Sequence, residues 1–332
     1  MLLLHFDGSL PNLALMRIAA HHRALGAYVE LRHAMRLPAV QPRLGDPTWD
    51  LVYGSLIFEK SRPLADAARR AYPRIMLGGT GCDVTSNLGD VGIDDGPLDY
   101  SVYPRFPRSI GFAMRGCRLK CRFCVVPRKE GKARPNGTIA SLYRGAPTPR
   151  EILLLDNDFF GNPEWRSVHR ELLDGDFKVS FVQGINARML NEQTAHAIGE
   201  LKVRDDGMKR RRIYTAWDSI GDERRLFAGL DALVKHGGFS PDMIMVYMLV
   251  GEDERETHAE RDYRRARLRA FGCRPYPMPF RRTKELVAFQ RWVIKRHDLH
   301  TTWEQFFGAA GGEPRKLGVR RVSLPLFPGD DA

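Results

Sequence analysis

The 332-residue chain has no uninterrupted apolar stretch of the about 18 residues that a membrane-spanning helix needs. Its opening residues, MLLLHFDGSLPN, are apolar, but no basic residue precedes them and they soon meet Asp7. They predict a first β-strand and not a secretion signal. Cysteine is scarce, five in all and an odd number, which argues against a disulfide framework and for a reducing cytoplasm. Neither a G-x-G-x-x-G pattern nor a P-loop occurs, which argues against a dinucleotide or nucleoside triphosphate site. Disorder is not expected, because 43% of residues are hydrophobic and 28% charged, a globular balance. The length suits two domains.

What is present is positive charge in one place. The chain carries 52 Lys and Arg against 40 Asp and Glu, a net of +12. Between Pro104 and Arg150 stand twelve basic residues and one acid, Glu130, so this segment accounts for nearly all of the excess. Two readings stay open: a solvated basic surface, or a positive mouth that receives an anion such as a nucleic acid or a phosphorylated metabolite. A second run, Arg261, Arg264, Arg265, Arg267 and Arg269, fits one helix, with a solvated face expected.

Residues 1–97 alternate strand and helix. Leu2–Phe6, Tyr28–Leu31, Asp50–Phe58 and Arg74–Leu77 read as strands, Asn12–Leu25 and Pro63–Tyr72 as helices. Alternation of this kind predicts an α/β fold with a parallel sheet covered on both faces, its ligands at the carboxyl ends of the strands. Residues 90–107 look like a linker. A second series follows, with strands expected at Ser109–Met114, Glu151–Leu155, Lys178–Val182, Arg212–Trp217, Met243–Val250 and Arg274–Met278. Thr283–His297 reads as an amphipathic helix.

The chemistry-bearing segment is Gly116-Cys117-Arg118-Leu119-Lys120-Cys121-Arg122-Phe123-Cys124, a C-x3-C-x2-C spacing just after the first strand of the second series. Three cysteines within eight residues of an Arg/Lys-rich loop do not look like core. Structural zinc wants four ligands, and no histidine lies between His33 and His169 to supply the last. Iron–sulfur ligation fits better, since neighbouring positive charge favours thiolates. Three thiolates on a four-iron cluster leave one iron open to a ligand.

That spacing, with an aromatic residue before the third cysteine, resembles the signature of the radical S-adenosylmethionine (SAM) enzymes. The resemblance spans roughly residues 109–280. It implies a [4Fe-4S] cluster on Cys117, Cys121 and Cys124, whose open iron takes the amino and carboxylate groups of SAM. One electron then cleaves SAM and yields a 5′-deoxyadenosyl radical. It implies an α/β architecture: an N-terminal Rossmann-like parallel sheet domain (1–97), a partial (β/α)6 radical SAM barrel (98–282) and a C-terminal helical extension (283–332). It also implies a reductant such as a flavodoxin or ferredoxin. Phe123 would lie beside the adenine. Asp156, Asn157 and Asp158 stand where the family often has Gly-Gly-Glu facing the SAM amino group. Gln183, Asn186 and Arg188 would face the barrel mouth, with strand-end turn chemistry the other reading. Asp218 would bind a ribose hydroxyl or cap a helix. Val250 and Gly251 would run along the adenine edge.

Residues 1–97 resemble the cobalamin-binding domain that precedes the barrel in many of these enzymes. The cobalt-ligating Asp-x-His-x-x-Gly here reads Asp7-Gly8-Ser9-Leu10-Pro11-Asn12, with Ser9 in the histidine position. Cobalamin, and with it a cobalamin-dependent methyltransferase, is therefore the less favoured expectation, behind a degenerate, substrate-facing domain. Methylthiotransferases need a second set of three cysteines, and only Cys82 and Cys273 remain. The competing reading of the whole chain is a non-catalytic RNA- or DNA-binding protein with a structural metal. The substrate and any proton donor or radical-quenching residue stay unassigned.

Overall fold

A computed structural model describes residues 1–93 and 96–308. The chain divides into two compact units, Met1–Pro107 and a second that begins at Arg108. Both are α/β, built on parallel strands. No helix among the described residues is long and apolar enough to cross a membrane.

In the first unit, β1 (Leu2–His5), β2 (Glu30–His33), β3 (Val52–Ser55) and β4 (Met76–Gly78) form one parallel sheet in the order β2-β1-β3-β4. The period-2 alternation of a strand explains why β1 is a continuous apolar run. Leu3 packs with Leu15, Met16 and Ala19 of α1 (Leu13–Ala24) on one face. Leu2 and Leu4 pack with Ala65 and Ala68 of α3 (Arg62–Ala71) on the other. A short α2 (Leu37–Val40) places Val40 in that second cluster. Asn12 caps α1, its side chain accepting from Leu15 N at 3.1 Å.

The expected linker is not one. Val102 and Tyr103 are buried in the cluster that holds α1, and the Tyr103 hydroxyl lies 3.1 Å from His5 Nδ1 and accepts from Asn12 N at 3.2 Å. The boundary therefore falls at Pro107 and not at 97. The Gly, Asp and Pro content hid the anchoring aromatics. Burial also pushes the His5 pKa down to about 4, leaving a neutral imidazole.

The second unit contains β5 (Ser109–Gly111), β6 (Met114–Arg115), β7 (Arg134–Pro135), β8 (Glu151–Leu154), β9 (Lys178–Phe181), β10 (Lys202–Val203), β11 (Ile213–Ala216), β12 (Ile244–Val250) and β13 (Arg274–Pro279). All six expected strands are present, the first of them as two pieces, β5 and β6. They fall into two parallel sheets, β10-β9-β8-β5 and β11-β12-β13, with β6 and β7 as a separate antiparallel ribbon. Between the sheets, Ile185 N donates to Tyr214 O at 2.8 Å. The first expected strand thus breaks in two. Asp156 takes the Ala113 and Met114 N–H groups that a continuing ladder would use.

Around the sheets run α4 (Val126–Lys129), α5 (Ile139–Leu142), α6 (Trp165–Asp174), α7 (Glu192–Glu200), α8 (Glu223–Lys235), α9 (His258–Phe271), α10 (Lys284–Ile294) and α11 (Trp303–Phe307). Leu286, Phe289, Trp292 and Phe306 belong to the same apolar core as Val246 and Met248 of β12. The segment from 283 to 308 is therefore an integral part of this unit rather than an extension. Residues 309–332 of the expected extension lie outside the described residues.

The arginines of α9 are ion-paired, and only Arg267, 43% exposed, stays substantially solvated. Arg261 and Arg264 are buried, Arg261 pairing with Glu285 and Arg264 with Glu256. Arg265 and Arg269 converge on the Asp298 carboxylate at 3.1 and 2.9 Å, and Arg267 reaches Glu223 at 2.8 Å. The acids come from other segments, so helix periodicity alone could not reveal them.

One glycine fixes how α8 meets the end of β9. A Cβ on Gly229 would stand 1.8 Å from the Ala187 carbonyl oxygen, a backbone atom with little freedom to yield. Gly229→Ala gains helix propensity of about 1 kcal/mol but forces the backbones apart. We expect a net loss of about 2 kcal/mol in urea unfolding, whereas an unchanged or raised midpoint would refute this packing.

Candidate functional site

The three cysteines lie on the loop between β6 and β7. Gly116 makes the entry possible: its φ is +80°, and a Cβ there would stand 2.1 Å from Lys132 O. Cys117, Cys121 and Cys124 are all half-buried free thiols. Leu119 N approaches Cys117 Sγ at 3.4 Å. Cys117 and Cys124 have pKa values above the usual thiol range, chiefly through burial, with mutual repulsion among the three thiols adding to it. Among the described residues no three His, Cys, Asp or Glu side chains gather as a single-ion site.

A cavity of about 700 Å³ opens beside this loop. Cys121 and Phe123 line it together with Arg188, Asp218 and Asp222, and with Glu252 and Asp253 of the segment after β12. Arg264 of α9 and Glu256, two residues before that helix, also line it. Arg122 ties the cysteine loop to the rim through Glu252 at 2.6 Å. Asp218, largely buried, accepts from Leu249 N at 3.3 Å, and its pKa is raised by burial.

The expected site residues divide clearly. Phe123, Arg188 and Asp218 meet Cys121 in the cavity. Asn186 supports Arg188, its Oδ1 accepting from Nε at 3.1 Å. Asp158 does not face an incoming ammonium group, because Arg118 holds both its oxygens at 2.7 and 2.9 Å. Asn157 donates to Glu130 at 3.2 Å. Gln183 is exposed. Val250 is buried, its carbonyl accepting from Phe280 N at 2.9 Å. Gly251 donates to Glu256 at 2.7 Å. Both serve the packing of the rim. Sequence reasoning missed Asp222, Asp253 and Arg264; the spacing of Arg261, Arg264, Arg265 and Leu268 was the available signal for a buried face.

Four of the twelve basic residues of the segment are ion-paired, three of them to carboxylates outside it. Arg108 pairs with Glu151, Arg115 with Glu130, Arg118 with Asp158 and Arg122 with Glu252. Lys120, Arg128 and Lys132 form no ion pair among the described residues. Cys273 is buried in the core and its thiol is pushed up to about 12, so it stays protonated at neutral pH.

Asp156 is the most perturbed carboxyl near the loop. It is 2% exposed, Oδ1 accepts from Ala113 N at 2.8 Å and Met114 N at 3.2 Å, and Oδ2 has no partner. Burial lifts its pKa to about 7, above its unfolded value of 3.8. The folded state therefore binds the extra proton between these values, and stability falls as pH rises through that window. Asn at this position keeps both acceptor bonds but buries an unpartnered amide, at a cost of about 2 kcal/mol. Asp156→Asn should then be less stable than the parent by about 2 kcal/mol at pH 3, close to it at pH 5, and more stable by about 2 kcal/mol at pH 8. Parallel stability-versus-pH curves for the two proteins would contradict the assignment.

Comparison with protein-family models, with curated proteins and with solved structures found no match.

Proposed function

We propose that this chain is a radical SAM enzyme, its second unit a partial (β/α)6 barrel carrying a [4Fe-4S] cluster on Cys117, Cys121 and Cys124. The observation that carries the reading is the meeting of Cys121, Phe123, Arg188 and Asp218 around one cavity at the carboxyl ends of parallel strands. The donor set suits the group: three half-buried free thiols on one loop, with Leu119 N donating toward Cys117 Sγ at 3.4 Å. Thiolates holding separate irons need not converge as they would on one zinc ion.

When bound, the cluster supplies the electron that cleaves the sulfonium of SAM. The protein's own residues bind and orient. Asp218 offers a carboxylate to hydroxyl donors, Phe123 an aromatic face, and the Asp222, Glu252 and Asp253 carboxylates an acidic side that suits a cationic cofactor. Lys120, Arg128 and Lys132 favour an anionic substrate, and the pairing of Arg108, Arg115, Arg118 and Arg122 with carboxylates weighs against an extended nucleic-acid surface. A flavodoxin- or ferredoxin-like reductant and a reducing, cytoplasmic setting go with the reading.

The first unit is read as a Rossmann-like domain that does not take cobalamin. Its strand-end loops are closed on one another: Asp7 accepts from Ile57 N and Phe58 N at 2.7 and 3.0 Å, Asn12 donates to Ser55 Oγ at 2.9 Å, and Gly81 N to Leu56 O at 3.1 Å.

The test is anaerobic reconstitution with iron and sulfide, followed by SAM and dithionite. Release of 5′-deoxyadenosine and methionine is expected. Stoichiometric zinc uptake with no cleavage of SAM would overturn the reading in favour of a structural metal.

A further inference from the structure

In the first unit, β1 and β2 both end on a histidine, and the parallel register sets His5 directly beside His33. Register neighbours share a face of the sheet. The two imidazole rings stand 5.2 Å apart between centroids. His5 is 1% exposed, whereas His33 reaches the surface. The inner ring is held in place. The Tyr103 hydroxyl lies 3.1 Å from its Nδ1 and accepts from Asn12 N at 3.2 Å, and the Asn12 side chain is tied to Ser55 Oγ at 2.9 Å. The other ring nitrogen, Nε2, is buried and has no hydrogen-bond partner among the described residues. A Cβ on Gly8 would stand 3.6 Å from it, so the glycine, at φ +93°, leaves that approach free of a side chain. Buried polar atoms without a partner are few in folded proteins, and each asks for a reason.

We propose that His5 and His33 bind one divalent transition-metal ion of the zinc type, in the unit that does not carry the cysteine loop. The proposal stands independently of the radical SAM reading. Metal–imidazole bonds of about 2.0–2.1 Å put two ring centres on one tetrahedral ion about 5 Å apart. That is the separation of these two rings. A metal takes the lone pair of a neutral imidazole. The Tyr103 oxygen has a second lone pair for an Nδ1–H donor, and the tautomer that donates there leaves the lone pair on Nε2. Tyr103 is thus a positioning residue, the outer partner that orients a metal-bound histidine. Burial keeps the His5 ring uncharged at neutral pH. His33, at the surface, gives the ion its way in. Water completes the coordination, since among the described residues no third His, Cys, Asp or Glu joins the pair. Imidazole ligands select zinc, copper or nickel over magnesium and calcium, which prefer oxygen.

The experiment is a calorimetric titration of zinc into the full-length chain with Cys117→Ser, Cys121→Ser and Cys124→Ser combined, so that the loop thiols do not compete. One zinc per chain is expected, with no binding of magnesium. His33→Ala, a surface change, should weaken zinc binding by more than about 10-fold, and Tyr103→Phe, which keeps the ring and loses only the hydroxyl, by about 10-fold. His196→Ala, an exposed histidine of α7, should leave the affinity unchanged. His5→Gln should abolish binding; if that buried variant does not fold, His33→Ala carries the test. If the triple serine background does not fold, the same comparison in the parent chain should show one zinc fewer in His33→Ala. Equal zinc affinity with and without His33, or no zinc bound at all, would overturn the proposal and leave the reading of the cysteine loop untouched. An unchanged affinity in Tyr103→Phe would overturn the positioning role of the hydroxyl.

Discussion

Cys121→Ala is expected to bring release of 5′-deoxyadenosine down to background, a loss well beyond 100-fold, and Cys117→Ala and Cys124→Ala should do the same. Outer-shell partners of a metal site typically change affinity or activity by about 10–100-fold, and the ligands themselves by more. Here the margin is thin, because the loop offers three thiols and nothing nearby to replace one. The nearest carboxylates are already engaged: Asp158 by Arg118, and Glu130 by Arg115, Gly116 N and Asn157. Cys273 cannot substitute, being buried in the core of the second unit. Cys82 belongs to the other unit. Cys82→Ala and Cys273→Ala therefore serve as controls that should retain the cluster. Iron content, sulfide content and nucleoside release, measured side by side, check the series. Activity surviving in Cys121→Ala, or lost in Cys82→Ala, would remove the basis of the assignment.

The largest effect on stability is expected from Arg264→Met. This guanidinium is nearly inaccessible, and it donates to Trp217 O at 2.7 Å and Leu249 O at 2.9 Å while pairing with Glu256. It thus ties the carboxyl ends of β11 and β12 to α9 and holds the rim segment from below. Burial draws its pKa down and Glu256 counters that. Methionine fills much of the same space, so packing is roughly conserved. What is lost is the charge opposite Glu256. Breaking one partner of a buried pair costs about 3–5 kcal/mol. The lower end, about 3 kcal/mol, is expected because Arg261 still lies 3.9 Å from Glu256. Arg264→Met with Glu256→Gln should recover part of the loss, since no buried carboxylate is then stranded. Urea unfolding of the two variants checks both statements; a double variant no more stable than the single one would show that the carbonyl bonds, not the ion pair, dominate.

The elements that sequence made visible are those with one dominant periodicity. The run Leu2–Phe6 and the strands at Glu151, Lys178 and Ile244 are continuous apolar stretches, as buried parallel strands must be. The cysteine loop announced itself by spacing, and Phe123, Arg188 and Asp218 by following strand ends. What stayed hidden depends on partners distant in the chain. Asp156 and Asp158 point the same way in an alternating segment, yet one serves the backbone at 113–114 and the other Arg118, and neither role is local. The arginines of α9 looked solvated because Glu256, Glu285 and Asp298 are contributed by other segments. Residues 98–107 looked like a connector because their composition is turn-like, although Tyr103 is a core side chain.

The separation of the second unit's strands into two sheets has a mechanical consequence. Within each sheet the strands share ladders, but at the joint the bond of Ile185 N to Tyr214 O is the only backbone hydrogen bond among the described residues. Breathing of the fold should follow this seam, with amide exchange at Ile185 faster than in β8 or β12. Arg188 sits three residues beyond it, so a small parting of the two halves would change the width of the cavity while both ladders stay whole.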